Sequence, residues 1–176
     1  MTGKEFLNSL AKGKSDILQL LLNMLAETGS RYCVIGGLAV NAYVDPVVSL
    51  DVDIVVAVED AGAVANAAKD REMRVEYFEH SINISSHGSD LRIQLQTDPK
   101  YQVFIQRAEV REVLGYRMKV ANLEDVLQGK VWAYVDKTRR RSKRQKDLSD
   151  ILRIIEAFPE LENMLPRTLK EELEKG

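Results

Sequence analysis

The feature that most constrains the fold is the segment Tyr32 to Val56, YCVIGGLAVNAYVDPVVSLDVDIVV. Two short apolar stretches in it, rich in valine and isoleucine, are typical of buried β-strands. Between them, residues 38 to 43 suit a short helix that begins at Gly36 and Gly37 and ends at Asp45-Pro46. The segment therefore predicts a strand, a helix and a second strand in close succession.

Two aspartates, Asp51 and Asp53, lie inside the second predicted strand. Because side chains alternate along a strand, both carboxylates point to one face, and Val52 and Ile54 point to the other. Carboxylates held so close together repel each other and lose hydration unless a cation compensates them. Since hard oxygen ligands suit Mg²⁺ better than zinc, we predict that Asp51 and Asp53 hold Mg²⁺.

The Gly36-Gly37 pair predicts a second part of the same site. A glycine turn between a strand and a helix lets backbone N–H groups approach an anion closely. Such a turn beside a metal held by Asp51 and Asp53 predicts a site for a nucleoside triphosphate. The chemistry that this arrangement implies is phosphoryl or nucleotidyl transfer.

The remainder of the chain predicts an α/β fold of the α+β kind, with a mixed β-sheet flanked by helices and a C-terminal helical hairpin. We expect one compact unit, in which an α/β core of residues 1–120 packs against a helical segment of residues 121–176. Helices are predicted from Ser15 to Gly29 and over 60–69, 122–137, 143–157 and 168–175. Further strands are predicted over 74–78, 81–86, 91–96 and 117–120, and residues 103–113 are helical or extended.

Bulk composition excludes several classes of protein. The 176 residues are 45% apolar and 30% charged with a net charge of −2, which argues against a surface that is generally suited to nucleic acid or membrane. The longest apolar stretch, which starts at Ile17, is too short to cross a bilayer, so we expect a cytoplasmic protein without a membrane partner. The single cysteine, Cys33, also fits a reducing compartment.

Two stretches of the sequence resemble a known superfamily. The pattern IGG, thirteen further residues, then DVD resembles the signature of the nucleotidyltransferase superfamily, whose core resembles DNA polymerase β. The later stretch NLEDVLQGKVWAYVDKTRRRSKRQKDLSDILRI is similar to the helical part of AbiEii-type abortive-infection toxins and related bacterial proteins. Their motif lysine and lysine-aspartate pair are matched by Lys130 and by Lys146-Asp147, and the resemblance covers roughly Ser30 to Glu156.

This resemblance implies a Mg²⁺-dependent nucleotidyltransferase that moves a nucleoside monophosphate from ATP or another NTP to RNA, such as tRNA, or to a protein. Asp51 and Asp53 would be the catalytic residues and hold one or two metal ions. The nucleotide would be bound by Gly36, Gly37, Lys130 and Lys146. The resemblance also implies a toxin that is neutralised by a separately encoded antitoxin protein.

The sequence departs from the family pattern in two places. Active members carry a third carboxylate on a neighbouring strand, and the position that we align with it holds Gln94, which cannot act as a base. Asp90 and Asp98 lie nearby as possible substitutes. Many relatives also have an arginine where this chain has Val47. A catalytically degenerate nucleotide-binding or interaction module of the same fold is therefore the alternative prediction.

The run KTRRRSKRQK, residues 137–146, contains seven basic residues in ten. One interpretation is a solvated connection between two helices, and the other is a contact with phosphate or RNA. Lys130 likewise has two interpretations, a clamp on the triphosphate or a surface lysine that packs its aliphatic part.

Overall fold

The computed structural model describes residues 1–13 and 15–176 of the chain. Its strands are β1 (Tyr32–Ile35), β2 (Asp51–Val56), β3 (Arg74–Tyr77), β4 (Ser81–Ser85), β5 (Arg92–Gln96), β6 (Glu109–Val113) and β7 (Tyr116–Val120). Its α-helices are α1 (Gly3–Leu10), α2 (Ile17–Glu27), α3 (Gly36–Val40), α4 (Val58–Asp70), α5 (Leu123–Val135), α6 (Arg141–Ala157) and α7 (Arg167–Lys175). Short 3₁₀ segments cover Pro99–Arg107 and Pro159–Met164.

The strands form one mixed sheet in the order β3-β4-β5-β2-β1-β7-β6. The β1/β7 and β2/β5 pairs are parallel, and the other neighbouring strands are antiparallel. The predicted mixed sheet with flanking helices is thus confirmed. The predicted succession of strand, helix and strand is confirmed as β1, α3 and β2, with β2 placed near the centre of the sheet.

The two faces of β2 differ in burial, as the alternation of side chains along a strand predicts. Val52 and Ile54 are buried behind the strand, whereas Asp51 and Asp53 are only partly buried in front of it. On the apolar side, α4 contacts β3 and β4, and α2 packs against α4. On the polar side, α5 and α6 pack against each other and against α3. Helices α5 and α6 therefore lie on the same side of the sheet as the two aspartates.

Two elements differ from the sequence-based expectation. Helix α1 was not predicted, although Thr2 and Glu5 form a reciprocal capping box at its start. It buries a single residue, Leu7, so its apolar periodicity is too short to recognise. Residues 103–113 divide into the end of a 3₁₀ segment and the edge strand β6, because β6 turns back at Leu114 and Gly115 to pair with β7.

Helix caps explain where the predicted helices begin. The Asp16 side chain, rather than that of Ser15, accepts from the backbone N–H of Gln19 and starts α2. Asn122 accepts from the N–H of Asp125 at 2.8 Å and starts α5, in which Lys130 is one of the buried residues. None of the helices in the described ranges combines the length and the apolarity needed to cross a membrane.

Candidate active site

A cleft of about 460 Å³ lies between the polar face of the sheet and α6. Its floor is formed by β2, β5 and β4, and one end is formed by the loop Val47–Ser49. Its opposite wall carries basic side chains of α6 and of the residues just before it. The volume is within the range of roughly 300 to 1,000 Å³ that is typical of small-molecule sites.

Asp51 and Asp53 both lie on the floor of this cleft. On β5, their parallel neighbour, Arg92 is opposite Asp51 and Gln94 is opposite Asp53. The strand position that we aligned with the third carboxylate is therefore directly beside Asp53, and it holds an amide. The pairing shows that Gln94 lies on a strand next to Asp53, while its equivalence to the third carboxylate and the roles of these residues remain predictions.

The carboxylate of Asp51 is bound by two cations from different parts of the chain. The Lys143 Nζ atom lies 2.5 Å from Oδ2, and the Arg92 Nε atom lies 2.8 Å from Oδ1. Burial acts to raise the pKa of Asp51, but the contacts with Lys143 and Arg92 outweigh it and hold that pKa below its ordinary value. Asp51 is therefore ionised, with each of its oxygens facing a positive charge.

Asp53 has a different environment. Burial raises the pKa of its carboxyl group, the Lys130 charge opposes this rise, and the Asp51 charge adds to it. Within the described ranges, no hydrogen bond or ion pair compensates the Asp53 carboxylate. An ionised group without a partner in a partly buried cleft is costly, and a bound cation would remove that cost.

These residues fit one divalent metal ion. Mg²⁺ in proteins is commonly held by one or two carboxylates, together with waters and substrate phosphates. Asp53 and the Oδ2 atom of Asp51 supply such a pair, and the Gln94 amide oxygen lies on the adjacent strand. Among the described residues, no cluster of three or more His, Cys, Asp or Glu side chains forms a metal site by itself. The remaining ligands would have to come from the nucleotide and from water.

The glycine pair at the start of α3 has two different environments. Gly37 lines the cleft. Gly36 has a positive φ of 69° and lies against Asp53, so that a Cβ atom added there would be 2.6 Å from the Asp53 Oδ2 atom. Gly36 thus makes room for the Asp53 carboxylate, a function that sequence reasoning missed, and phosphate binding by Gly36 and Gly37 remains a prediction.

Replacing Gly36 with alanine is expected to lower the free energy of unfolding by about 2 kcal/mol, because the left-handed conformation and the clash with Asp53 both oppose a side chain. Thermal unfolding measures this loss. Gly62→Ala is the matched control: it lies in α4 with nothing within 4 Å of the added Cβ, and it should gain about 0.5 to 1 kcal/mol. Equal stability of the two variants would contradict the packing function of Gly36.

Lys130 lies at the inner end of the cleft, where it is 8% exposed. Its Nζ atom is 2.8 Å from Asp150 and 3.1 Å from Asp147, and Arg139 is 2.7 Å from the second oxygen of Asp147. Burial acts to lower the pKa of Lys130, yet Asp150 and Asp147 hold it above its ordinary value. The surface-lysine interpretation of Lys130 is therefore wrong, while binding of the triphosphate by Lys130 remains a prediction.

The basic run divides between two surfaces. Arg139, Lys143 and Lys146 line the cleft, whereas Lys137 and Arg140 are exposed outside it. Sequence reasoning selected Lys146 from this run and missed Lys143 and Arg139. A signal was present, because Lys143, Lys146, Asp147 and Asp150 recur at the spacing of one helix face.

Neither proposed substitute for the third carboxylate lies in the cleft. Asp98 caps the 3₁₀ segment by accepting from the N–H of Lys100 at 3.0 Å. Asp90 is exposed and lies 4.0 Å from Lys12. The row of residues in register with Asp53 continues through Gln94 and Asn83 and ends in a carboxylate, Glu76, which also lines the cleft. At about 4.8 Å per strand it stands too far from Asp53 to share a metal with it.

No protein-family model and no curated protein match the sequence. Solved structures do match the fold. The antibiotic-resistance factor ANT(2'')-Ia has a TM-score of 0.63 at 12% identity, with 90% of this chain and 92% of that chain covered. The lincomycin-bound lincosamide antibiotic adenylyltransferase LnuA has a TM-score of 0.56 at 10% identity, with coverage of 81% and 99%.

A third similar structure is an antigenic nucleotidyltransferase-like protein from Paracoccidioides brasiliensis, with a TM-score of 0.50, 18% identity, and 79% of this chain and 73% of that chain covered. At such low identities the likeness concerns the fold. The narrower resemblance to AbiEii-type toxins remains a prediction. The resemblance to the superfamily is confirmed at the level of architecture: this chain has the nucleotidyltransferase fold.

Proposed function

We propose that this protein is a Mg²⁺-dependent nucleotidyltransferase that moves a nucleoside monophosphate from an NTP to an acceptor. The observation that carries the proposal is the position of Asp51 and Asp53 on the floor of a cleft whose opposite wall carries Lys143 and Lys146. Two carboxylates facing a basic wall suit a metal ion on one side and a polyphosphate on the other. The fold supports the same reaction class.

In this proposal, the core of residues 1–120 and the helical segment of residues 121–176 form the two walls of the active site. Asp51 and Asp53 hold the metal, which when bound would neutralise phosphate charge and orient the attacking and leaving oxygens. Gly36 and Gly37 place the backbone of α3 next to the phosphates.

The basic residues are assigned different tasks. Lys146 is exposed in the cleft and binds the triphosphate as a point charge. Lys130 acts from deeper in the cleft, where Asp147 and Asp150 hold its Nζ atom in one place. Its field reaches the Asp53 carboxylate and favours the ionised form that metal binding requires.

The acceptor would lie on the other half of the floor. Gln94, Asn83 and Glu76 follow one another in register across β5, β4 and β3, and all three line the cleft. Amide and carboxylate groups in a row can hydrogen-bond a hydroxyl-bearing molecule. By the sequence resemblance, the acceptor is RNA, such as tRNA, or another protein. The same resemblance implies that the nucleotidyltransferase itself is a toxin with an antitoxin partner. ANT(2'')-Ia, by contrast, has been solved in complex with adenylyl-2''-tobramycin, and LnuA has been solved with lincomycin bound.

The proposal predicts label transfer from an α-labelled NTP to a component of a bacterial extract. We expect transfer by the wild type with Mg²⁺ and none by the Asp51→Ala/Asp53→Ala variant, because that variant loses both metal ligands. Separation of the labelled products into small molecules, RNA and protein identifies the acceptor class. Absence of transfer with all four NTPs would contradict the proposal.

The second candidate is a nucleotide-binding module without turnover, and the amide of Gln94 beside Asp53 favours it. Such a module would bind an NTP in a calorimetric titration and would transfer no label. Gln94→Asp would then supply the third carboxylate. Transfer by this variant, but not by the wild type, would identify the fold as catalytically degenerate in its natural form.

A further inference from the structure

An ion pair between Lys143 and Asp51 joins α6 to β2 across the cleft. The Lys143 Nζ atom is 2.5 Å from the Asp51 Oδ2 atom, and both side chains are partly shielded, at 30% and 24% exposure. The two residues are 92 positions apart in the chain, so the packing of α6 brings them together. The contact is at the part of the cleft where the proposed metal would be held.

Lys143 occupies the oxygen of Asp51 that a metal ion would need. Arg92 binds the other oxygen, Oδ1, from the neighbouring strand at 2.8 Å. Asp53, two residues along β2, has no such partner among the described residues. The protein's own cations therefore neutralise one carboxylate of the pair and leave the other one open.

A lysine ammonium and a divalent ion that contact the same carboxylate oxygen repel each other, so each of them weakens the binding of the other. We infer that Lys143 and the divalent ion compete for the Oδ2 atom of Asp51, so that entry of the ion releases Lys143 into the cleft. The inference rests on the proposed function for the identity of the ligands, and it assigns to Lys143 the role of a displaceable counterion.

The neighbouring lysine shows why Lys143 is the one that moves. Lys130 is held by two carboxylates in a buried position, so it stays in place when the cleft fills. Among the described residues, Lys143 has a single acidic contact, and it is partly exposed. Once Lys143 is released, it remains on the same wall of the cleft as Lys146, where its Nζ atom can form an ion pair with a phosphate group of the nucleotide. Loading of the metal would thus supply one more positive charge for the triphosphate.

The test measures Mn²⁺ binding by electron paramagnetic resonance, without nucleotide. Lys143→Met, which keeps an unbranched side chain one atom shorter and removes its charge, should bind Mn²⁺ about tenfold more tightly than the wild type. Addition of Asp51→Asn to this variant should abolish the gain. Lys137→Met is the matched control, since it removes a lysine from the same basic run but outside the cleft, and it should leave the affinity unchanged.

A second measurement uses the wild-type protein and does not depend on the folding of a variant. Acetylation of individual lysines is followed by mass spectrometry. Lys143 should react faster when Mn²⁺ is added and slower again when ATP follows, while Lys130 should show no change. The inference would be overturned if Lys143→Met bound Mn²⁺ with the affinity of the wild type, or if the reactivity of Lys143 did not change when Mn²⁺ was added. Either result would leave the proposed function standing. Failure of every form to bind Mn²⁺, even with ATP, would overturn both.

Discussion

Replacing Asp53 with asparagine is expected to abolish nucleotidyl transfer and to make the metal-free protein more stable. Transfer should fall by roughly a thousandfold or more, because the amide cannot hold the metal as a carboxylate does. Stability at neutral pH should rise by about 1 kcal/mol, because the variant keeps the shape of the side chain and removes a partly buried charge without a partner among the described residues.

The effect of Asp53→Asn on stability depends on pH, because the pKa of Asp53 differs between the folded and the unfolded protein. Burial raises the pKa of Asp53 in the folded protein, so ionisation opposes folding at pH values above that pKa. The penalty is absent below the pKa of the unfolded chain, where both states are protonated. The stabilisation by Asp53→Asn should therefore be present at neutral pH and disappear at acidic pH.

Urea unfolding at neutral and at acidic pH, together with the label-transfer assay, measures both effects of Asp53→Asn. Asp45→Asn is the control, since it changes an exposed aspartate outside the cleft lining and should alter neither property. Loss of stability in Asp53→Asn at neutral pH would show that other groups compensate the charge of Asp53 in the metal-free protein. Retention of transfer would show that Asp53 is not a metal ligand.

Replacing Asp147 with alanine is expected to destabilise the protein by about 3 kcal/mol. Asp147 is 1% exposed and binds Lys130 at 3.1 Å and Arg139 at 2.7 Å. Its removal leaves buried Lys130 with Asp150 as its remaining acidic contact and takes from Arg139, which is partly exposed, the carboxylate that it binds. Lys130 and Arg139 should then leave their places in the cleft, so nucleotide binding should weaken as well.

Urea unfolding followed by fluorescence of Trp132, the single tryptophan, measures the loss in Asp147→Ala. The matched control is Glu171→Ala, which breaks the exposed ion pair with Arg167 on α7 and should cost less than about 0.5 kcal/mol. Similar losses in the two variants would contradict the structural importance of the buried cluster.

The elements that the sequence predicts well are those with strong local signals. β1 and β2 are apolar and rich in β-branched residues, and α5 and α6 have apolar or charged stripes at helical spacing. The weakly predicted segments depend on partners that are distant in the chain. Edge strand β6 has one buried residue, Val113, and exists because β7 pairs with it.

The candidate site shows the same division. Alternation along β2 was enough to place Asp51 and Asp53 on one face, since that is a property of the extended backbone alone. The resemblance indicated only that Gln94 lies on a strand next to β2, and the register that puts Gln94 directly beside Asp53 came from the structure. The close approach of Gly36 to Asp53 had no sequence signal, because it depends on how β1 and α3 meet β2.

The sequence by itself determined that two carboxylates share one face of a buried strand and that a run of basic residues follows later in the chain. Only the tertiary structure decided which cations meet those carboxylates. Lys143 reaches Asp51, and Lys130 is held by Asp147 and Asp150, because α5 and α6 pack on the polar side of the sheet. An ion pair needs its charged atoms within about 4 Å of each other, so partners 92 residues apart are chosen by packing and not by spacing in the chain.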